Sequence, residues 1–359
     1  MVQTRISIHR TGLALMGAAF LVAAFSSSLL SAGPVEEERD TCLGCHGDQT
    51  ASKDLPDGTK VSLFVDVSQL DKSVHGTRVK CSDCHPGTEE VPHPERPVKT
   101  FREYQASFRE ACRRCHFDNY TKTLDSVHYA QIAKGDFRAP FCVDCHGSHA
   151  ITRPAQPKPD ISKTCARCHE KIFEVYKKSV HGKAFVAHNP DVPVCTDCHK
   201  SHDIANPHSA AYRLRTPQIC GSCHTNKAVM AKYNLSTDVL STYLADFHGM
   251  SASLEKGQTK NQRAVVAVCV DCHGVHDITT VKGEGSRVVK ANLLRTCQQC
   301  HKDASENFPA AWLSHYEPSW KRAPLIYGIT LFYKVLIPFI IGGLVLQILL
   351  HLWRVVVNR

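Results

Sequence analysis

Cys142-Val143-Asp144-Cys145-His146 sets two thiols three positions apart, with an imidazole directly after the second. At that spacing one turn of backbone brings both sulfurs under the edge of a porphyrin. Each can form a thioether there with a vinyl-derived carbon, and the adjoining imidazole is aimed at the iron. The chemistry on offer is covalent haem attachment with a proximal histidine ligand. The same pattern stands at Cys42/Cys45/His46, Cys81/Cys84/His85, Cys112/Cys115/His116 and Cys165/Cys168/His169. It returns at Cys195/Cys198/His199, Cys220/Cys223/His224, Cys269/Cys272/His273 and Cys297/Cys300/His301. These nine sites use all 18 cysteines. A disulfide scaffold or a row of zinc ribbons needs no histidine after every second cysteine, so neither explains the pattern. Nine covalently bound haem c groups are expected.

If each iron takes two imidazoles, nine more histidines are needed. Of the 22 histidines, nine are proximal, His9 lies near the start of the chain and His351 at its far end. Eleven remain. Five stand alone between motifs: His75, His128, His181, His248 and His315. Four follow motifs: His149, His202 and His276 three residues after a motif histidine, and His93 eight residues after His85. Those nine are the expected distal ligands, and His188 and His208 are spare. Beyond residue 33 the only methionines are Met230 and Met250, so uniformly bis-histidine, low-potential haems are expected. From His116 to His128, and from His169 to His181, is 12 residues. In a straight helix that is about 18 Å and roughly 120° of rotation, unsuited to opposite faces of one haem. Each distal histidine is therefore expected to serve a haem attached elsewhere in the chain.

The elements that must position these residues repeat. Motifs 2, 4, 6 and 8 carry Asp83, Asp144, Asp197 and Asp271 before the second cysteine, and the other five do not. Those aspartates can cap a short helix or tune a haem. A lone histidine stands between each plain motif and the next aspartate motif, first in Ser73-Val74-His75-Gly76. The lone histidines are 53, 53, 67 and 67 residues apart. The chain thus divides into copies at about 40–98, 99–158, 159–212 and 213–288, with a half copy at 289–323. The connectors Pro86–Pro97 and Arg153–Pro159 are proline-rich and expected to be extended.

The expected architecture is mainly α with much irregular coil, an elongated haem-packed body over 34–323. Helices are predicted over Ala111–Ser126, Ile161–Val180 with Gly182 as the stop, Leu293–Trp312 broken at Pro309, and around Val239–Phe247. Gly58–Leu70 reads as strand at Val61–Val67, a short β-hairpin near 58–70. With roughly 32 residues for each haem, the porphyrins must supply most of the buried apolar surface.

Residues 1–33 read as a signal peptide or signal anchor: Arg5, His9 and Arg10, the apolar run Gly12–Phe25, then small residues. Leu325–Leu350 is apolar apart from Thr330, Lys334 and Gln347, longer than the ~20 residues that span a bilayer. A transmembrane helix over 324–353 with a cytoplasmic tail at 354–359 is expected. Pro338 would kink it, and Gly342-Gly343 would admit a close helix partner. Arg354 and Arg359 place the haem body on the periplasmic side of the inner membrane. The formal charge of +9 suggests no nucleic-acid partner, because nine ferric haems with ionised propionates, each about −1, would cancel it.

The nine motifs, the SxHG-type distal positions and the CxDCHxxH runs across 40–316 resemble multihaem c-type cytochromes of the c3/c554-like group with doubled CxxCH motifs. The resemblance implies electron transfer between close-packed haems. A haem body followed by one membrane helix is similar to cytochrome subunits beside a membrane cytochrome b or quinone-reactive protein. It implies a soluble or extracellular redox partner at the other end. The alternative is an oxidoreductase acting on a small nitrogen or sulfur compound at one open haem. The ligand count leaves no iron obviously free, and no CxxCK site is present, so no catalytic residue is assigned.

Overall fold

A computed structural model describes residues 34–153, 159–256, 266–283, 285–311 and 315–358. The signal reading at 1–33, His9, most of the Arg153–Pro159 connector, and Leu313-Ser314 before His315 lie outside the described residues. The described chain is mostly short helices joined by irregular segments, with one hairpin and one long C-terminal helix.

Each motif ends a helix or forms one turn. The aspartate motifs are single turns: Cys81–Cys84, Cys142–His146, Cys195–His199 and Cys269–His273. In every one the aspartate carboxylate accepts from the backbone N–H just before the first cysteine. These bonds run to Asp83 from Lys80 (2.9 Å), Asp144 from Phe141 (2.6 Å), Asp197 from Val194 (2.6 Å) and Asp271 from Val268 (2.7 Å). A turn this short cannot satisfy its own first amides, and the carboxylate does so from the third position. After the turn, Gly147, Lys200 and Gly274 take positive φ and reverse the chain. Lys200 does this against the usual steric preference of an L residue.

Helices predicted to run through a plain motif instead break at its histidine. Ile161–Val180 is two helices, Pro159–Ala166 and Glu170–Lys178. Ala111–Ser126 is Arg109–Arg113 and Phe117–Leu124. Leu293–Trp312 reduces to Lys290–Cys297 and a 3-10 turn at Phe308–Ala311. At the break His116 and His169 take non-helical backbone angles (ψ 45° and 41°), which the apolar periodicity did not reveal.

Gly182 does not stop a helix. It lies inside the helix Val180–Val186, whose N-cap Ser179 accepts from the Gly182 amide (3.0 Å). The glycine is needed because a Cβ there would run into the carbonyl of Tyr176 in the preceding helix. Gly76 and Gly249 meet the carbonyls of Leu70 and Tyr243 in the same way. Asp246 caps the helix Phe247–Glu255, so the expected helix around Val239–Phe247 ends at Ala245 and a second one begins with Phe247. Ala210–His224 is one helix across the 212/213 copy boundary, with Pro217 buried inside it.

The hairpin pairs Ser52–Asp54 with Lys60–Ser62, antiparallel, turning at Gly58 (φ 83°). Strand stops at Ser62 rather than continuing to Val67, because Asp66 caps a helix at Val67–Lys72. Copies are tied by a recurrent backbone bond. The amide before each of the first three lone histidines donates to an isoleucine carbonyl in the next copy. These are Val74 to Ile151 (2.8 Å), Val127 to Ile204 (2.9 Å) and Val180 to Ile278 (2.7 Å).

The polypeptide builds little core. One cluster of Leu214, Tyr243, Ala252 and Val268 is buried, and few other apolar side chains are. The C-terminal helix Pro324–Val357 is a candidate membrane span: 34 residues, none of its apolar window buried within the protein, and Pro338 inside it. At 1.5 Å per residue it is about 51 Å long, beyond the ~30 Å hydrocarbon core. Trp320 packs edge-on against Tyr327 at its first turn (5.1 Å).

Candidate haem-binding sites

Each motif histidine faces one other histidine. Ring centres are 6.2 Å apart for His46 and His93, 6.0 Å for His116 and His75, and 6.1 Å for His85 and His149. They are 6.1 Å apart for His146 and His202, 6.2 Å for His169 and His128, and 5.9 Å for His199 and His276. They are 6.2 Å apart for His224 and His181, 6.1 Å for His273 and His315, and 6.2 Å for His301 and His248. Two metal–nitrogen bonds of about 2.0–2.1 Å, with roughly 1.1 Å more from each nitrogen to its ring centre, come to about 6.3 Å. The spacing fits one iron between each pair.

The pairs follow a rule. His46 and His93 both belong to the first copy. Every other pair joins neighbouring copies: a lone histidine faces the next copy's plain motif, and an aspartate-motif histidine faces a histidine of the following copy. His188 and His208, the spares, are exposed. Neither is among the ring pairs of the described residues.

Chemistry around the rings suits metal binding. His46 Nδ1 bonds the Leu63 carbonyl beyond the hairpin (2.8 Å), and His93 Nδ1 bonds the Glu90 carbonyl (2.7 Å). Donation from Nδ1 fixes the tautomer and leaves Nε2 with its lone pair. Burial, followed by the nearby His149, pushes His85 down to about 4. Burial likewise lowers His128, His146, His149, His181 and His199. It does the same for His202, His224, His273, His276 and His315. These rings are neutral at neutral pH, the form that ligates. Tyr212 is an unforeseen neighbour: its hydroxyl lies 3.1 Å from His199 Nδ1 and 3.2 Å from the Cys198 carbonyl. Its ring stacks on His199 at 5.7 Å with planes 3° apart. No repeated spacing marks Tyr212 in the sequence.

The cysteines line up in chain order. Within each full copy the first cysteines of the two motifs are in thiol contact: Cys42 with Cys81, Cys112 with Cys142, Cys165 with Cys195, and Cys220 with Cys269. Between copies, Cys84 is near Cys115, Cys145 near Cys168, Cys198 near Cys220 and Cys223, and Cys272 near Cys297 and Cys300. Neighbouring motifs are therefore spatial neighbours from first to last. Arg102 and Arg213, ahead of the third and seventh motifs, reach forward to Asp144 and Asp271 and hold the two motifs of a copy together.

Cys45, on the last turn of the helix Pro34–His46, is exposed, as are Cys84, Cys115, Cys145, Cys168, Cys223 and Cys300. In later copies the second cysteine of a plain motif lies near the aspartate motif of the copy before. Residues 1–41 contain no cysteine, so that partner is missing for Cys45. In this motif Cys42 contacts Cys81 and His46 faces His93.

One continuous cavity of about 3800 Å³ runs along the row from Ser73 to His315, walled by motif cysteines and histidines from Cys112 to Cys300. The first two motifs lie outside its walls. The cavity is several times the ~300–1,000 Å³ of a site for one small molecule. Among the described residues no three Cys, His, Asp or Glu side chains converge on a point as a zinc site requires. The motifs indicate covalently bound haem c, and the residues present fit it.

Residues 130–173 and 188–229 match the doubled CXXCH motif family, each stretch holding two motifs. That match supports a multihaem c-type cytochrome. Comparison with curated proteins and with solved structures finds no match.

Proposed function

We propose that the chain is a membrane-anchored electron-transfer protein. It carries nine haems, each iron held by two histidines, in one row that ends at the membrane helix. The observation that carries this reading is the pairing of nine motif histidines with nine others at separations suited to one metal. Eighteen cysteines would hold the macrocycles, and His46, His85, His116, His146, His169, His199, His224, His273 and His301 would be proximal. His93, His149, His75, His202, His128, His276, His181, His315 and His248 would be their respective distal ligands. The first motif, farthest along the chain from the membrane helix, would put its haem at the end of the row where a redox partner can approach. Bound haem c supplies one-electron exchange between ferric and ferrous iron.

The protein's part is to fix order, spacing and ligand geometry. Thiol contacts set neighbouring attachment points side by side, and caps hold each turn. A second imidazole opposite each motif histidine would occupy the position that water or a substrate could otherwise take. With every motif histidine matched, no position is left for a substrate, which favours a conduit over a reductase or oxidase of small molecules.

The apolar helix Pro324–Val357, with Arg354 in its last turn and Arg359 beyond it, argues for an inner-membrane anchor with the body in the periplasm. The partner at the membrane end would be a cytochrome b or quinone-reactive subunit. At the other end it would be a soluble or extracellular redox protein.

Carbon monoxide and cyanide titration of the purified protein, with nitrite and hydroxylamine as trial substrates, tests this. The conduit reading expects no adduct and no turnover. One haem that binds carbon monoxide and turns over substrate would replace it with the enzyme reading.

A further inference from the structure

Three backbone bonds join neighbouring copies, and each falls between two of the distal-ligand histidines. Val127 precedes His128, and its amide donates to the carbonyl of Ile204, two residues after His202 (2.9 Å). Val74 precedes His75 and donates to Ile151, two residues after His149 (2.8 Å). Val180 precedes His181 and donates to Ile278, two residues after His276 (2.7 Å). The first amides of a helical turn have no acceptor behind them within the turn. The serine ahead of each valine takes a different one. Ser73 and Ser126 accept from the amides of His75 and His128 (3.2 and 3.1 Å), and Ser179 from that of Gly182 (3.0 Å). The valine amide is left for the neighbouring copy.

The six histidines sort by motif. His149 and His75 face His85 and His116, of motifs 2 and 3. His202 and His128 face His146 and His169, of motifs 4 and 5. His276 and His181 face His199 and His224, of motifs 6 and 7. Each bond therefore links the ligands of two consecutive motifs across a copy boundary. The attachment sides meet at the same boundaries, with Cys84 near Cys115, Cys145 near Cys168 and Cys198 near Cys220. Motifs 8 and 9 differ. There Phe247 precedes His248 and Glu317 lies two residues after His315, but no backbone bond joins Phe247 to Glu317 among the described residues.

We infer that the amides of Val74, Val127 and Val180 are positioning groups that lock distal ligands in pairs. Haems 2 and 3, 4 and 5, and 6 and 7, counted by motif, then form three two-iron units with shared support behind their distal imidazoles. A histidine reaches its iron through only two side-chain torsions, so the place of its backbone sets the place of its ring. A displacement at His202 is carried through the Ile204–Val127 bond to His128. Groups behind a ligand orient it and tune the metal, so both irons of a unit respond when the bond is lost. Haems 8 and 9, nearest the membrane helix in the chain, lack the lock and respond singly. This linkage rests on the two-histidine reading of each iron.

The test uses the full-length, haem-loaded protein carrying Val127→Pro. Proline is favoured at the first position of a helix and removes the amide hydrogen. Ser126, at φ −80° and ψ 143°, already has the extended backbone that a following proline requires. Val127→Ala keeps the amide and serves as control. In low-temperature ferric spectra and spectroelectrochemical titration, Val127→Pro is expected to move two of the nine components and Val127→Ala none. No shift, a shift at one haem alone, a shift spread over more than two, or the same shift from Val127→Ala overturns the lock. Hydrogen exchange in the unaltered protein decides the matter where the proline variant fails to load haem. The amides of Val74, Val127 and Val180 should exchange at least tenfold more slowly than that of Phe247, and equal exchange overturns the lock. Haem content and spin state separate the two readings. Nine low-spin haems without the paired shift remove the lock and leave the conduit, whereas missing or high-spin haems in the unaltered protein count against the two-histidine reading itself.

Discussion

His85 and His149 stand ring to ring at 6.1 Å, although one belongs to the first copy of the repeat and the other to the second. The nearest motif histidine to His149 in sequence is His146, yet His146 faces His202 of the third copy. Crossed pairing of this kind makes each copy incomplete without the next.

His149→Ala should therefore open the sixth position at the haem of Cys81 and Cys84, not at that of Cys142 and Cys145. Ferrous protein should gain carbon monoxide binding at one haem in nine. Resonance Raman or Mössbauer spectroscopy should assign one new high-spin iron. If His146 served with His149, the altered haem would be the fourth, and peptide-resolved labelling near the adduct would show it.

Tyr212 should lower the potential of one haem. With Nε2 on iron, His199 Nδ1 donates to the Tyr212 hydroxyl, which donates on to the Cys198 carbonyl. That donation makes the imidazole more basic and favours ferric iron. Tyr212→Phe removes it, so one component of a spectroelectrochemical titration should move up. A bond worth about 1 kcal/mol corresponds to on the order of 40 mV for one electron. Eight components should stay where they are.

The motif aspartates act on the backbone. Asp144→Ala removes the acceptor for the Phe141 amide and the partner of Arg102. A loss of about 1–2 kcal/mol of stability is expected, as for other lost caps. Denaturant titration of the holoprotein should show it, and the haem potentials should change little.

Gly182→Ala should cost more than its chemistry suggests. The new methyl group meets the Tyr176 carbonyl, and forcing the two helices apart costs about 1–3 kcal/mol. Gly342→Ala, with nothing nearby, should leave the stability of the haem body unchanged.

Attachment chemistry was legible in the sequence because each motif is five consecutive residues whose spacing means the same wherever it falls. Its surroundings were not: the spacing is the same at every site, yet seven of the nine second cysteines are exposed while every first cysteine is half-buried. The mostly helical character and the apolar C-terminal helix were legible from periodicity and length. Helix ends were not. A proximal histidine breaks the helix it sits on, as at His169, and apolar spacing runs through such a break unnoticed. Gly182 misled for a related reason: a glycine beside a histidine reads as a stop, whereas here it makes room for the carbonyl of another helix. The hairpin was displaced because Val61–Val67 alternates like a strand while Asp66 starts a helix inside it. Which rings face which depends on how the copies stack, and residues such as Tyr212 and Arg213 gain meaning only once that stacking is known.

The account depends most on the number and ligation of the haems, and one preparation can report both. Intact mass of the mature protein, with coulometric reduction and a low-temperature ferric spectrum on the same sample, is expected to give nine covalent haems. It should also give nine electrons per chain and only low-spin iron. Fewer haems, fewer electrons or a high-spin ferric signal would contradict it.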